Sequence, residues 1–376
     1  MGEPESLGVG ALLHWNSLLV IGSIFVTLVG LTTFTSRLDG VHISIVIGLL
    51  VLSIILLITS ADFFIEGAKG LAEKAGIAEV IIGLTIVSIG TSLPEILVTS
   101  TAAASAGRTG DTAMIDLAIG NIFGSVLVQI TFILGIVALV TPLNIRPDWL
   151  RRDGSIMLGA VILCSLFLWE GGGLSRLEGV ILCSVYFAYI GWLLKNRENI
   201  REDEIETVEE IRAGDFSWTT AAYLVMVVIG LFFAIFAATK LVELASEIGE
   251  SMNIPPAIVG TVMSGLGTSL PELTVALMAA KRSSGVAMGT LVGSNITDPL
   301  LSIGIAAIVN PLMVSNESYA LIMHLIVPAT IIGVAICLGM MYTGMQFTRM
   351  EGGMLIGLYI LFLVLLELQR KGFIVL

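Results

Sequence analysis

Residues 90–95 read GTSLPE, and residues 267–272 read GTSLPE again. Both copies lie in apolar surroundings long enough to cross a bilayer, and both end in a carboxylate. Glu95 is the only charged residue between Glu79 and Arg108, and Glu272 is the only one between Glu250 and Lys281. Asp298 is equally isolated, between Arg282 and Glu317. An acid at the centre of a membrane helix costs roughly 2.5–3.5 kcal/mol on insertion scales, so such residues persist where they meet a cavity, a partner or an ion. The rest of the motif supplies reasons to expect an ion. Proline inside a helix removes an N–H and displaces the carbonyl four residues back, which is that of Gly90 for Pro94 and of Gly267 for Pro271. Irregular backbone at this depth is tolerated where it lines a cavity or lies within protein. Carboxylate, freed carbonyl and the Thr and Ser hydroxyls together make a set of hard oxygen donors. Calcium takes six to eight oxygens in flexible geometry. No Cys or His lies nearby, which argues against zinc, copper or iron.

The composition places the motif in a membrane. Of 376 residues 56% are hydrophobic and 13% charged, against about 25% charged in soluble domains, and the mean hydropathy is +0.99. The net charge is -12, much of it in NRENIREDEIETVEEIRAGDF at 196–216, and no basic patch suggests nucleic acid. Cys164, Cys183 and Cys337 lie inside apolar segments and read as packing residues, not as disulfides or metal ligands. His14, His42 and His324 have neither an i, i+4 histidine partner nor an adjacent acidic cluster. The acidic start MGEPES lacks the basic region of a signal peptide, so the first apolar block is expected to remain.

Hydropathy predicts spans near 12–34, 42–66, 77–105, 113–141, 154–170, 176–194, 217–245, 254–280, 285–310, 318–343 and 352–369. The connections on the N-terminal side carry twelve Lys and Arg, and those on the other side carry six. The positive-inside rule then makes the N-terminus and the 196–216 loop cytoplasmic. A shift of 177 residues matches the two motifs without gaps for about forty residues, pairing Glu66 with Glu243 and Gly83 with Gly260. Beyond the motif, GNIFGS at 120–125 pairs with GTLVGS at 289–294 after an eight-residue insertion in the first copy. The expected fold is therefore an all-α integral membrane protein of ten transmembrane helices. These form two five-helix repeats, 42–195 and 217–376, joined by the acidic loop 196–216, with an extra helix in 1–41. Five is odd, so the second repeat enters from the opposite side, the inverted plan of secondary transporters.

The segment after each motif adds polar side chains: Asn121, Ser125 and Gln129 in the first repeat, and Thr290, Ser294, Asn295, Thr297 and Asp298 in the second. Ser125 with Gln129, and Ser294 with Asp298, are i, i+4 pairs on one helical face. Paired GTSLPE motifs, each followed by G-x-x-x-G-S in the next helix, strongly resemble the sodium/calcium exchanger family of the cation/calcium antiporter superfamily, in its prokaryotic form. The resemblance covers nearly all of residues 42–369. It implies that Glu95 and Glu272 are shared by Ca²⁺ and Na⁺, with the Thr91 and Thr268 carbonyls completing the calcium shell. It implies flanking sodium positions at Ser92, Ser125, Ser269 and Ser294 with backbone oxygen from Ser88 and Gly265, and an outer pair of Asp298 and Gln129. It also implies that the first helices of the two repeats slide across the remaining eight. The chain departs from the family pattern at Gln129, usually Asn or Asp, at Val126, where the second repeat has Asn295, and in the insertion GRTGDTAM.

The reading is a non-enzymatic antiporter without cofactor, exchanging Ca²⁺ for Na⁺ by alternating access. The alternatives are a Ca²⁺/H⁺ exchanger, which typically carries a GNA-x-E motif instead, and a cation channel. No ATP-binding motif is present to drive a pump. Sidedness is open to a direct test. With Cys164, Cys183 and Cys337 replaced by Ala, a cysteine at Asn199 should react with an impermeant maleimide only from the cytoplasmic face. Labelling from outside intact cells would invert the topology.

Overall fold

The computed structural model describes residues 16–35, 43–74, 88–145, 147, 150–195, 218–280 and 284–374. The acidic stretch 196–216 and the start of the first predicted span lie outside the described residues. The chain is almost wholly helical. Helix α1 is Asn16–Thr35 and α2 is Ile43–Lys74. The helical residues Ser88–Thr91, labelled α3, precede α4, Leu93–Thr109. Then follow α5, Ala113–Val140, and α6, Leu150–Gly171, and α7, Arg176–Lys195. The second half runs through α8, Thr220–Ser251, α9, residues 256–268, α10, Leu270–Ala280, and α11, residues 284–309. It ends with α12, Asn316–Gly344, and α13, Arg349–Arg370.

Nine helices among the described residues are long and apolar enough to cross a membrane. The remaining two predicted spans carry GTSLPE, and there the helix is broken: α3 stops and α4 begins at Ser92, and α9 stops and α10 begins at Ser269. The predicted ends at 66 and 245 fall short. Helices α2 and α8 are each 32 residues, about 48 Å at 1.5 Å per residue, because the amphipathic tails EGAKGLAEK and LASEIGES continue the helix past the apolar run.

Four two-residue strands staple the loops. β1 (Leu143–Asn144), after α5, pairs antiparallel with β4 (Gln346–Phe347), before α13. β2 (Gly173–Leu174), between α6 and α7, pairs with β3 (Leu312–Met313), between α11 and α12. Helix α6 separates β1 from β2, so the two ribbons lie at opposite ends of the bundle. Short π-helical turns recur at matching places: Gln129–Ile133 in α5 and Asp298–Ser302 in α11, Leu150–Gly154 in α6 and Ile322–Ile326 in α12.

Buried apolar residues fall into two clusters. The larger joins α4–α7 to α9–α13 and includes the three cysteines, all free and buried. The smaller holds α1, α2 and α8, with a few residues of α4, α5 and α9 against them. In it α2 and α8 run antiparallel and touch backbone to backbone. A Cβ on Gly67 would lie 2.8 Å from Met226 Cβ, and one on Gly230 would lie 2.7 Å from Phe64 N. Helix α1 seats Ile21 and Leu28 in this cluster and places Phe25 against Phe233 and Phe236 of α8, with ring centroids 4.8 Å apart in both cases.

The tightest crossing in the larger unit is α5 on α9. A Cβ on Gly124 would approach Thr261 O to 2.2 Å, and one on Gly260 would approach Leu117 O to 2.2 Å. Backbones come this close only across glycine. Gly260→Ala should therefore destabilise the protein by about 1–3 kcal/mol through overpacking. Gly159→Ala, where a Cβ meets nothing within 4 Å, should be neutral or stabilising. Thermal unfolding in detergent checks this, and equal melting temperatures would refute the close crossing.

Candidate functional site

The two motifs fold alike. Ser92 has φ -81 and ψ 4, and Ser269 has φ -87 and ψ 8, both in the bridge region between helix and strand. Each serine ends one helical turn and starts the next helix, which opens Leu-Pro. Proline is tolerated in a first turn, where its missing N–H would have no intrahelical partner. Glu95 and Glu272 then fall in the first turn of α4 and α10, where the positive end of the helix dipole favours a carboxylate. The break thus sets each acid at the start of a helix, directly after an irregular turn of backbone.

The site closes around these acids. Glu95, Glu272 and Asp298 are all fully buried, as are Ser92, Ser125, Gln129, Thr268, Ser269 and Ser294, and Thr91 is nearly so. Glu95 Oε1 faces Ser125 Oγ at 3.3 Å and Ser269 Oγ at 3.2 Å. Glu272 Oε1 faces Ser294 Oγ at 3.5 Å, whose hydroxyl also lies 3.4 Å from Thr91 Oγ1. The Thr268 side chain borders Glu95 and the Thr91 side chain borders Glu272, so each motif's threonine serves the other motif's acid. Asp298 Oδ2 faces Ser125 Oγ at 3.0 Å and accepts from Gln129 Nε2 at 3.2 Å. Gln129 Nε2 also donates to Ser125 Oγ at 2.8 Å.

Ser125 is the hub, and it is oversubscribed. Its one hydroxyl hydrogen faces Glu95 Oε1, Asp298 Oδ2 and Ser269 Oγ, the last at 2.9 Å. It can satisfy one of the three. Four more oxygens, Glu95 Oε2, Glu272 Oε2, Asp298 Oδ1 and Gln129 Oε1, are buried without a hydrogen-bond partner among the described residues. The ion pairs Arg152–Asp153, Lys240–Glu243 and Glu367 with Arg370 and Lys371 involve none of these acids. Among the described residues no three His, Cys, Asp or Glu side chains form a ready metal cluster. The donors are instead spread over carboxylate, hydroxyl, amide and carbonyl, a set that suits a hard cation such as Ca²⁺ or Na⁺.

Most of the residues named from sequence come together here. Gly265 starts the turn before Ser269, and its carbonyl accepts from Ser269 Oγ at 2.8 Å. Ser88 begins α3. Two candidates turn away. Asn295 Nδ2 bonds back to Leu291 O at 2.6 Å, and Thr297 Oγ1 bonds back to Gly293 O at 2.9 Å. Glu66 is exposed and Glu243 pairs with Lys240 at 2.6 Å. Sequence reasoning passed over Ser302, which borders Asp298, and Thr99 and Ser264, which bond to Asn121. Spacing could have found the first two: Thr99 follows Glu95 by four residues, and Ser302 follows Asp298 by four.

The model of the family described as sodium/calcium exchanger protein matches residues 45–195 and 222–367. The chain belongs to the sodium/calcium exchanger family. Sodium/calcium exchanger MaX1 of Methanosarcina acetivorans is 30% identical over 358 residues, spanning 85% of this chain and 97% of that protein. Inner membrane protein YrbG of Escherichia coli is 31% identical over 72% of this chain and 82% of its own. A solved structure of the sodium-calcium exchanger NCX_Mj, soaked with Na⁺ and Sr²⁺, matches with TM-score 0.57 and 26% identity over 86% of this chain and 99% of that one. The exchanger family match begins after α1 and leaves that helix outside.

Removing one of the crowded acids relieves both desolvation and mutual repulsion. Glu95→Gln and Glu272→Gln should therefore hold or raise the melting temperature of the ion-free protein. Each should abolish the further rise that added Ca²⁺ gives the unsubstituted chain. A lower ion-free melting temperature with Ca²⁺ stabilisation intact would mark the acids as structural.

Proposed function

We propose that this protein is a secondary antiporter that exchanges Ca²⁺ for Na⁺ across a cell membrane by alternating access. The observation that carries the reading is the meeting of Glu95, Glu272 and Asp298 in a fully buried site where their second oxygens have no hydrogen-bond partner among the described residues. Such a centre is held together by exchangeable cations. At most three negative charges gather there. One Ca²⁺ balances two, and several Na⁺ balance all three. Two cargoes that neutralise the same acids compete for them, which is the thermodynamic basis of exchange.

The site residues are Glu95 and Glu272 as shared ligands, the Thr91 and Thr268 carbonyls for calcium, and Ser92, Ser125, Ser269 and Ser294 with Ser88 and Gly265 oxygen for sodium. Gln129 and Asp298 form the outer pair. The layout is two inverted five-helix repeats, 42–195 and 217–376, joined by a cytoplasmic loop at 196–216, with the N-terminus also cytoplasmic. The exchange of partners between the ribbons, β1 with β4 and β2 with β3 at the other end, supports inversion. The separate cluster around α2 and α8 supports their movement across the rest. The Lys and Arg count supports the sidedness.

⁴⁵Ca²⁺ uptake into proteoliposomes loaded with Na⁺, K⁺ or acid tests the reading. Uptake should require internal Na⁺. Uptake driven by acid would make it a Ca²⁺/H⁺ exchanger, and uptake needing no counter-ion would make it a channel. Within the site, Gln129 supplies an amide where its counterpart Asp298 supplies charge. Asp298→Asn should alter the Na⁺ concentration dependence more than Ca²⁺ affinity, because Ca²⁺ is already balanced by the two glutamates. Gln129→Asp adds a fourth acid and should sharpen the pH dependence of transport. Unchanged Na⁺ dependence with greatly weakened Ca²⁺ binding in Asp298→Asn would make Asp298 a direct calcium ligand.

A further inference from the structure

One turn from the ion site, towards the β2–β3 end, lies a second buried polar tier. Asn121 is four residues before Ser125 on α5, Thr99 four after Glu95 on α4, and Ser264 four before Thr268 on α9. All three are buried. Asn121 Nδ2 donates to Thr99 Oγ1 at 3.0 Å, and Ser264 Oγ donates to Asn121 Oδ1 at 2.6 Å. One side-chain amide therefore ties together three elements, each of which carries site residues one turn away. The tie sits inside the glycine crossing, where a Cβ on Gly260 would lie 2.9 Å from Asn121 N and one on Gly265 would lie 2.9 Å from Ser125 N.

The other repeat carries different residue types at the matching positions. By the repeat correspondence Thr99 matches Ala276, Asn121 matches Thr290 and Ser264 matches Val87. Ala276 is buried and has no side-chain donor or acceptor, and a valine has none either. The two repeats therefore differ here in side-chain chemistry, an amide and two hydroxyls against one hydroxyl.

We infer that Asn121 is a positioning residue for the ion site. It holds α4, with Glu95, and α9, with Thr268 and Ser269, in register with Ser125 on α5. Breaking either arm leaves a buried polar group unsatisfied and lets Glu95 or the Thr268–Ser269 turn drift from Ser125. Such looseness weakens ion capture, which needs convergent oxygens, more than it slows the steps that follow capture. The inference rests on the site being an ion site. Its readout is binding, so it is separable from the direction or counter-ion of transport.

The test uses the full chain. Asn121→Thr, copying the second repeat, should raise the Ca²⁺ concentration for half-maximal stabilisation and the transport KM by about tenfold, the equivalent of roughly 1.4 kcal/mol, with kcat within about twofold. Thr99→Val and Ser264→Ala should each shift both in the same direction. The double variant Asn121→Thr, Thr99→Val should be no worse than Asn121→Thr alone, since losing the Asn121 amide already removes the arm to Thr99. If Asn121→Thr fails to fold, the two single-arm variants carry the test. Unchanged Ca²⁺ affinity in the single-arm variants, or a loss confined to ion-free melting temperature, would overturn the inference. If the unsubstituted protein binds Ca²⁺ but does not exchange it, the antiport reading falls and the binding shifts still decide the role of Asn121.

Discussion

An ionised carboxylate taken out of water without a compensating charge costs several kcal/mol even after the protein relaxes around it. Three such groups close together cost more, because each repels the others in a medium that screens poorly. Much of the structure follows from this. The chain breaks two helices at Ser92 and Ser269 so that each glutamate falls in the first turn of a helix, at the positive end of its dipole. It surrounds them with hydroxyls, and it crosses α5 over α9 through glycines so that the hydroxyls can reach. None of these devices cancels the charge. They lower the cost of carrying it until a cation arrives.

The same constraint explains why the polar centre is spread over many elements. A cage built from one helix would be fixed in shape. Here the oxygens come from α3, α4, α5, α9, α10 and α11, so modest displacement of any one changes the coordination. The two hydrophobic clusters fit this division. The larger carries the ion-facing elements, and the smaller, with α1, α2 and α8, lies against it through a few residues such as Val98, Leu117 and Val259. Each unit therefore keeps its own apolar core.

Much of this was legible in the sequence. Duplicated GTSLPE, isolated acids and the i, i+4 pairs Ser125–Gln129 and Ser294–Asp298 named the principal site residues, because polarity in an apolar run has few explanations. Hydropathy located the helices but misjudged the ends of α2 and α8, whose amphipathic tails read as connections. It could not show the π turns starting at Gln129 and Asp298, since a one-residue change in winding leaves no mark on composition. The Thr99–Asn121–Ser264 tie also escaped notice. Its members are far apart in sequence, and each alone is an ordinary intramembrane polar residue. Asn295, by contrast, stood next to Ser294 and still turned back onto Leu291 O, because neighbouring residues on a helix point about 100° apart.

The small ribbons have a mechanical meaning. β1–β4 joins the loop after α5 to the loop before α13, and β2–β3 joins the loop before α7 to the loop before α12. Each crosses from one half of the chain to the other, one at each end of the bundle. A barrel hooped at both rims resists splaying at either. Loads applied to this protein by membrane tension or thickness change would therefore pass around the hooped unit and fall on the long helices outside it, α2 and α8, whose 32 residues exceed the hydrocarbon depth. On that account, bilayer thickness acts on α2 and α8 and spares the unit that carries Glu95, Glu272 and Asp298.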